Sequence, residues 1–155
     1  MKIDLREFCD KKNVRYELST PFVRDGHLMA TDTSVLIALQ APWMKASVGK
    51  IPCAEVALKP IRKIPVNDWK DWPEVCLVEV DPIPGCGDFS CQLVGNRLID
   101  PKYDRIIRKL PGVQFAFVDK GRFGEIYFRF AGGVGALCAM ERDIKKVPKK
   151  RKGKS

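Results

Sequence analysis

Hydrophobic and polar positions recur along this chain with two different periods, and the switches between them mark its elements. Near the start, Asp4 is placed to cap a helix, and Glu7 three residues on completes a capping box. Ile3 and Phe8 stand as a hydrophobic staple across that cap. Leu5, Phe8, Cys9 and Lys12 share one side at helical spacing, which predicts a short helix over 5–12. Strand-like runs follow: "VRYELS", "HLMA" and "SVLIAL", with Asp25-Gly26 and Thr31-Asp32-Thr33 as turns between them.

The same order returns in the C-terminal third. Asp100 is a cap, Pro101 takes the first helical position, and Tyr103, Ile106, Ile107 and Leu110 form an apolar stripe that Pro111-Gly112 ends. Three strands are predicted after it, in "VQFAFV", "EIYFRF" and "VGALCAM". Asp119-Lys120-Gly121 and Ala131-Gly132-Gly133 make the turns between them. Alternation places Ile126, Phe128 and Phe130 on one face of the middle strand, with Tyr127 and Arg129 on the other. A helix followed by a meander thus occurs twice. Between the two units, "CAEVALKP", "EVCLVEV" and "SCQLVGNRLI" are predicted as strands, the first two joined by the Pro- and Trp-rich "IRKIPVNDWKDWPE". The expected architecture is α+β, with two short helices packed on one side of antiparallel sheets.

Charge divides the chain unevenly. The total is +9, yet residues 145–155, "KKVPKKRKGKS", hold seven Lys or Arg and no acid, leaving +2 on residues 1–144. The expected organisation is therefore one domain over 1–144 and a basic, disordered tail over 145–155. Lys145, Lys146, Lys149, Lys150, Arg151 and Lys152 are candidate contacts to nucleic acid, where each phosphate contact makes binding salt-sensitive; the competing reading is a solubilising end. On the second helix, Lys102, Arg105, Arg108 and Lys109 surround the apolar stripe with Asp104 as the one acid inside it. On the first, Arg6, Lys11 and Lys12 face outward, diluted by Glu7 and Asp10. Such a surface can follow phosphates without reading bases, or can be an ordinary solvated face. No apolar run approaches the ~20 residues of a membrane span, and "MKIDLREFCDKK" has acids where a secretory signal would be apolar. A cytoplasmic protein with reduced cysteines is expected.

Here a family resemblance enters. "MATDTSVLIAL" resembles the strand-turn-strand of bacterial sliding clamps, the β subunit of DNA polymerase III, in which an Ala-Thr-Asp-Gly turn precedes a strand carrying Arg-Leu-Ala. Ala30, Thr31 and Asp32 match that pattern; Thr33 stands at the glycine, and Val35 and Leu36 lie where the arginine is missing. The ending "YFRFAGGVGALCAMER" is similar to the last clamp hairpin, which tends to finish Met-Pro-Met-Arg; across Cys138, Ala139, Met140 and Glu141 only Met140 matches. Helix, meander, helix, meander is also the order of one clamp domain with its internal pseudo-twofold. The resemblance covers residues 1–40 and 92–142. It implies that the two helices turn Arg6, Lys102, Arg105, Arg108 and Lys109 toward duplex DNA. A clamp ring uses six such domains and this chain has room for one, so a free-standing, mobile-element or phage product is implied rather than an ordinary processivity ring.

Rival chemistry is thinner. Cys86 and Cys91 in "GCGDFSC" meet a zinc-ligand spacing, but Cys76 and Cys53 stand apart and His27 is the one histidine, so no metal or other cofactor is expected. Cys9 with His27 has no supporting motif, Asp68 and Asp71 flank Trp69 and Trp72 in a turn, and "FAGGVGAL" lacks the Lys-Ser/Thr of a phosphate loop. A non-enzyme is expected. Trp43, Trp69 and Trp72, with Tyr103 and Phe123, leave three readings: stacking on a single strand, an interface with a replication protein, or packing over a sheet edge. Thr31 and Asp32 are read as turn formers.

Overall fold

A computed structural model describes residues 2–12, 18–46, 54–80, 89–118 and 124–139. Ten strands and two α-helices are described: β1 (Phe22–Arg24), β2 (His27–Thr31), β3 (Val35–Gln40), α1 (Ala54–Ile61), β4 (Lys70–Asp71), β5 (Cys76–Val80), β6 (Phe89–Val94), β7 (Arg97–Ile99), α2 (Pro101–Arg108), β8 (Gln114–Val118), β9 (Glu125–Phe130) and β10 (Gly133–Cys138). The architecture is mixed α+β with antiparallel sheets, as the pattern predicts, but the two α-helices cover opposite faces of the larger sheet rather than one side.

Two meanders, β1-β2-β3 and β8-β9-β10, join through their last strands to give a sheet ordered β1-β2-β3-β10-β9-β8-β4. The order therefore reads alike outward from the β3–β10 junction, with β4 added beside β8. At that junction Gly135 faces Ile37 across the ladder, and the Phe128 ring occupies the place a side chain would need, so β9, β10 and β3 close tightly. A second, three-stranded sheet, β5-β6-β7, carries Val94 and Ile99 into the same core.

Alternation sorts the main sheet into two buried faces. Ala30, Val35, Ile37, Phe115, Ile126, Phe128 and Leu137 meet Leu5 and Phe8 of the N-terminal turn and Ile106, Ile107 and Leu110 of the α2 segment. Met29, Leu36, Ala38, Ala116 and Tyr127 form the opposite face, covered by Leu58 and Ile61 of α1 with Leu18, Phe22 and Trp69. Burial on both sides is why "SVLIAL" is a continuous apolar run rather than an alternating one.

The pattern misjudged several elements. The expected helix over 5–12 is a single 3-10 turn, Leu5–Phe8. Asp4 caps it through Arg6 N, but Cys9 is already extended, and the Asp10 carboxylate accepts from Lys12 N and turns the chain away. Leu18 and Ser19 of "VRYELS" lie in a turn and its first four residues fall outside the described ones; the strand that pairs with β2 is β1. "CAEVALKP" is helical from Ala54 instead of extended. Leu58 and Ile61, three apart, bury together on the sheet face that no other helix among the described residues covers, and Pro60 is tolerated because it sits in the last turn. The turn at 119–121 and the basic segment 145–155 lie outside the described residues.

Candidate nucleic-acid interface

Helix α2 begins as its sequence dictates. The Asp100 carboxylate accepts from Lys102 N at 2.8 Å and Pro101 occupies the first turn. Tyr103, Asp104, Ile106 and Ile107 are buried, and every exposed position from 102 to 109 is basic: Lys102, Arg105, Arg108 and Lys109. The helix's one interior acid, Asp104, is turned inward, where it accepts from Trp72 Nε1 at 2.8 Å and from Arg108 Nη2 at 3.0 Å. Arg108 Nη2 also donates to the Pro73 carbonyl at 2.9 Å, so α2 is laced to the segment that precedes β5.

The cations on this face differ in how they are held. Lys109 Nζ lies 3.1 Å from Glu7 Oε1, and Lys102 Nζ 3.3 Å from Asp32 Oδ2 and 4.6 Å from the centre of the Tyr103 ring. Burial pushes the Lys102 ammonium down, but the Tyr103 hydroxyl and the Asp32 charge outweigh it and its pKa rises. Arg105 has no hydrogen bond or ion pair among the described residues. Arg6 is bound to Asp4 at 3.1 Å, within its own turn. The Arg6–Asp4 and Lys109–Glu7 pairs are exposed on both sides and screened by solvent, whereas the Lys102 partner Asp32 is nearly buried.

Beneath the cations lies the Thr31-Asp32-Thr33 turn. Asp32 Oδ1 accepts from Ser34 N at 2.9 Å and Val35 N at 3.0 Å, and Thr31 Oγ1 accepts from Thr33 N at 3.1 Å. Asp32 Oδ2 accepts from the Tyr103 hydroxyl at 2.6 Å. Burial and this bond both raise the tyrosine's pKa, with burial the larger cause. Asp32 is thus a turn former, as expected, and also the fastening between the first meander and α2. Thr33 has φ +82°, the left-handed region that suits glycine.

The other aromatic and cysteine candidates separate. Trp69 and Trp72 are each 8% exposed and straddle the edge strand β4, one on each face of the sheet, so the sheet-edge reading holds for them. Tyr103 is buried as well. Trp43 is 78% exposed beside Met44, and Phe123 lies outside the described residues. Cys91 packs with Leu98, Val78 and Leu93, Cys76 is exposed, and Cys53 and Cys86 lie outside the described residues. Among the described residues no three His, Cys, Asp or Glu side chains are grouped to hold a metal, and no helix is long and apolar enough to cross a membrane. The six tail residues from Lys145 to Lys152 named above are likewise outside the described set.

Sequence reasoning missed one group altogether. His27, Arg62 and Arg129 line a cavity of about 340 Å³ beside α1, on the sheet face opposite α2. The signal was weak because these residues come from three distant segments, one of which was read as a connection. No protein-family model matches the chain, and no curated protein or solved structure matches it either.

Proposed function

We propose that the chain is a non-enzymatic, clamp-like DNA-binding or replication-associated protein whose α2 face follows the phosphates of duplex DNA. The observation that carries this reading is the composition of that face: Lys102, Arg105, Arg108 and Lys109 are all of its exposed positions, and its acid is withdrawn to Trp72. An eight-residue helix is about 12 Å long, enough for roughly three or four phosphate contacts and for no reading of base edges. The Ala30-Thr31-Asp32 turn is in keeping with the clamp resemblance, since Thr33, which stands at the glycine of that pattern, has a positive φ that glycine favours. In this reading the basic segment 145–155 adds salt-sensitive affinity.

The test is duplex binding by a chain in which Lys145, Lys146, Lys149, Lys150, Arg151, Lys152 and Lys154 are changed to Gln, measured across a salt series. Binding that persists and falls with a log-log slope of about −3 supports the α2 face. Loss of all binding on neutralising the tail would overturn it.

A second reading is favoured by Trp43: a protein-interaction module that engages replication proteins, with the tail as a weak tether. A tryptophan this exposed is unusual on a monomer surface and frequent at the centre of interfaces. Trp43→Ala separates the two, because it leaves duplex binding unchanged in the first reading and abolishes partner capture in the second.

A further inference from the structure

We propose that the cavity beside α1 binds a small phosphorylated molecule with an apolar body, a nucleoside monophosphate being the class it fits best. Its floor is apolar: Ala38 of β3, Val134 of β10, and Leu58 and Ile61 of α1. Its polar lining among the described residues is His27, Gln40, Arg62 and Arg129, none of them acidic. Among the described residues the lining pairs two guanidiniums with no carboxylate, which favours an anion.

The two arginines are held differently. Arg129 Nε donates to Gln114 Oε1 at 2.9 Å, and the guanidinium lies 4.7 Å from the centre of the Trp69 ring, which fixes its plane. Among the described residues neither of its terminal amines has a hydrogen-bond partner. Arg62, just past the end of α1, is exposed and has no partner among the described residues. One is a preoriented fork; the other is free to close on what the first has caught. His27 Nδ1 donates to the Asp25 carbonyl at 2.8 Å, which leaves Nε2 as an acceptor in the neutral ring. Gln40 supplies an amide beside it.

Volume selects between anions. About 340 Å³ is within the range of small-molecule sites and far more than a bare phosphate fills. The apolar floor desolvates a base or similar ring, while the arginines take the phosphate. The site lies on the opposite sheet face from α2 and does not depend on the duplex-binding proposal.

The experiment is titration of the full chain with adenosine monophosphate, adenosine and inorganic phosphate, followed through backbone amide shifts. Adenosine monophosphate is expected to bind at about 1 mM or tighter and to shift Gly133 and Val134, with adenosine and inorganic phosphate at least about tenfold weaker. Arg62→Gln is expected to weaken binding about fivefold or more at an unchanged melting temperature, since the side chain holds nothing else among the described residues. Arg129→Gln weakens it too but also loosens Trp69, so Arg62 is the decisive variant. Equal binding of adenosine and its monophosphate, equal binding of inorganic phosphate, shifts confined to residues 102–109, or an unaffected Arg62→Gln variant would each overturn the proposal.

Discussion

At residue scale, Thr33 carries a backbone conformation that its side chain resists. A β-branched residue at positive φ costs ~1–2 kcal/mol relative to glycine, and the hydrogen bonds of the turn hold it there. Thr33→Gly removes the strain and leaves the bond from its backbone N–H in place. Glycine's larger unfolded-state entropy offsets part of the gain, so stability rises by about 0.5–1 kcal/mol. A urea midpoint that moves up with an unchanged slope is the expected readout, and a lower midpoint would show that the threonine is not strained. The tyrosines make a second prediction. Burial first, then the Glu125 carboxylate that accepts from its hydroxyl, raises Tyr127; burial and Asp32 raise Tyr103. Both phenols are neutral when protonated, so the fold binds their protons more tightly than the unfolded chain does. Their contribution is complete below pH ~10 and is lost as pH climbs above it. Denaturation midpoints between pH 8 and 11.5 are expected to fall more gently for Tyr127→Phe than for the parent chain.

At the scale of elements, what was legible depended on how local the signal is. Asp100-Pro101, the Tyr103-to-Leu110 stripe and the alternation of Ile126, Phe128 and Phe130 are each written within ten residues, and each forms as read. The β2–β3 and β9–β10 pairs follow from the turns between them in the same way, whereas β1 was not legible, because "VRYELS" carries the stronger strand pattern just before it. Helix α1 was not legible, because Pro60 spoke against a helix and its apolar positions also fit a strand. What decides it is distant: the sheet has a second apolar face, made of Met29, Leu36, Ala38 and Tyr127, that needs a cover. An eight-residue helix with an internal proline is unstable alone, so α1 holds through Leu58 and Ile61. Leu58→Ala is expected to cost ~2–4 kcal/mol in equilibrium unfolding. A loss below about 0.5 kcal/mol would mean that α1 contributes little to the fold. The candidate site divides likewise. That Asp104 turns inward could be read from its place beside Tyr103 and Ile107. The pairing of Lys109 with Glu7 and of Lys102 with Asp32 could not, since the partners are 102 and 70 residues apart in sequence.

At the scale of the whole molecule, the ion pairs of α2 bear on the proposal that this face follows phosphates. Lys109 is shared with Glu7, Lys102 with Asp32 and Arg108 with Asp104, whereas Arg105 is unshared among the described residues. If the α2 face follows phosphates, the four positions should respond unequally to substitution, although their charges are the same. Arg105→Gln removes one full phosphate contact, so the log-log salt slope becomes shallower by about 0.9 and duplex affinity falls at every salt concentration. Lys109→Gln removes a contact that already cost the release of Glu7, so its effect on affinity is smaller. Glu7→Gln works in reverse: it frees Lys109 and deletes a negative charge beside the backbone, so duplex binding tightens and the slope steepens. The comparison is best made in the tail-neutralised chain, where Lys145 to Lys154 no longer mask the folded surface. An unchanged affinity in both Arg105→Gln and Glu7→Gln would mean that α2's charge is solvation and that duplex binding, if present, resides elsewhere. Net charge alone also gives opposite shifts in these two variants, so the deciding comparison is Arg105→Gln against Lys109→Gln: they remove the same charge, and a larger loss in Arg105→Gln is the outcome that assigns duplex contact to α2.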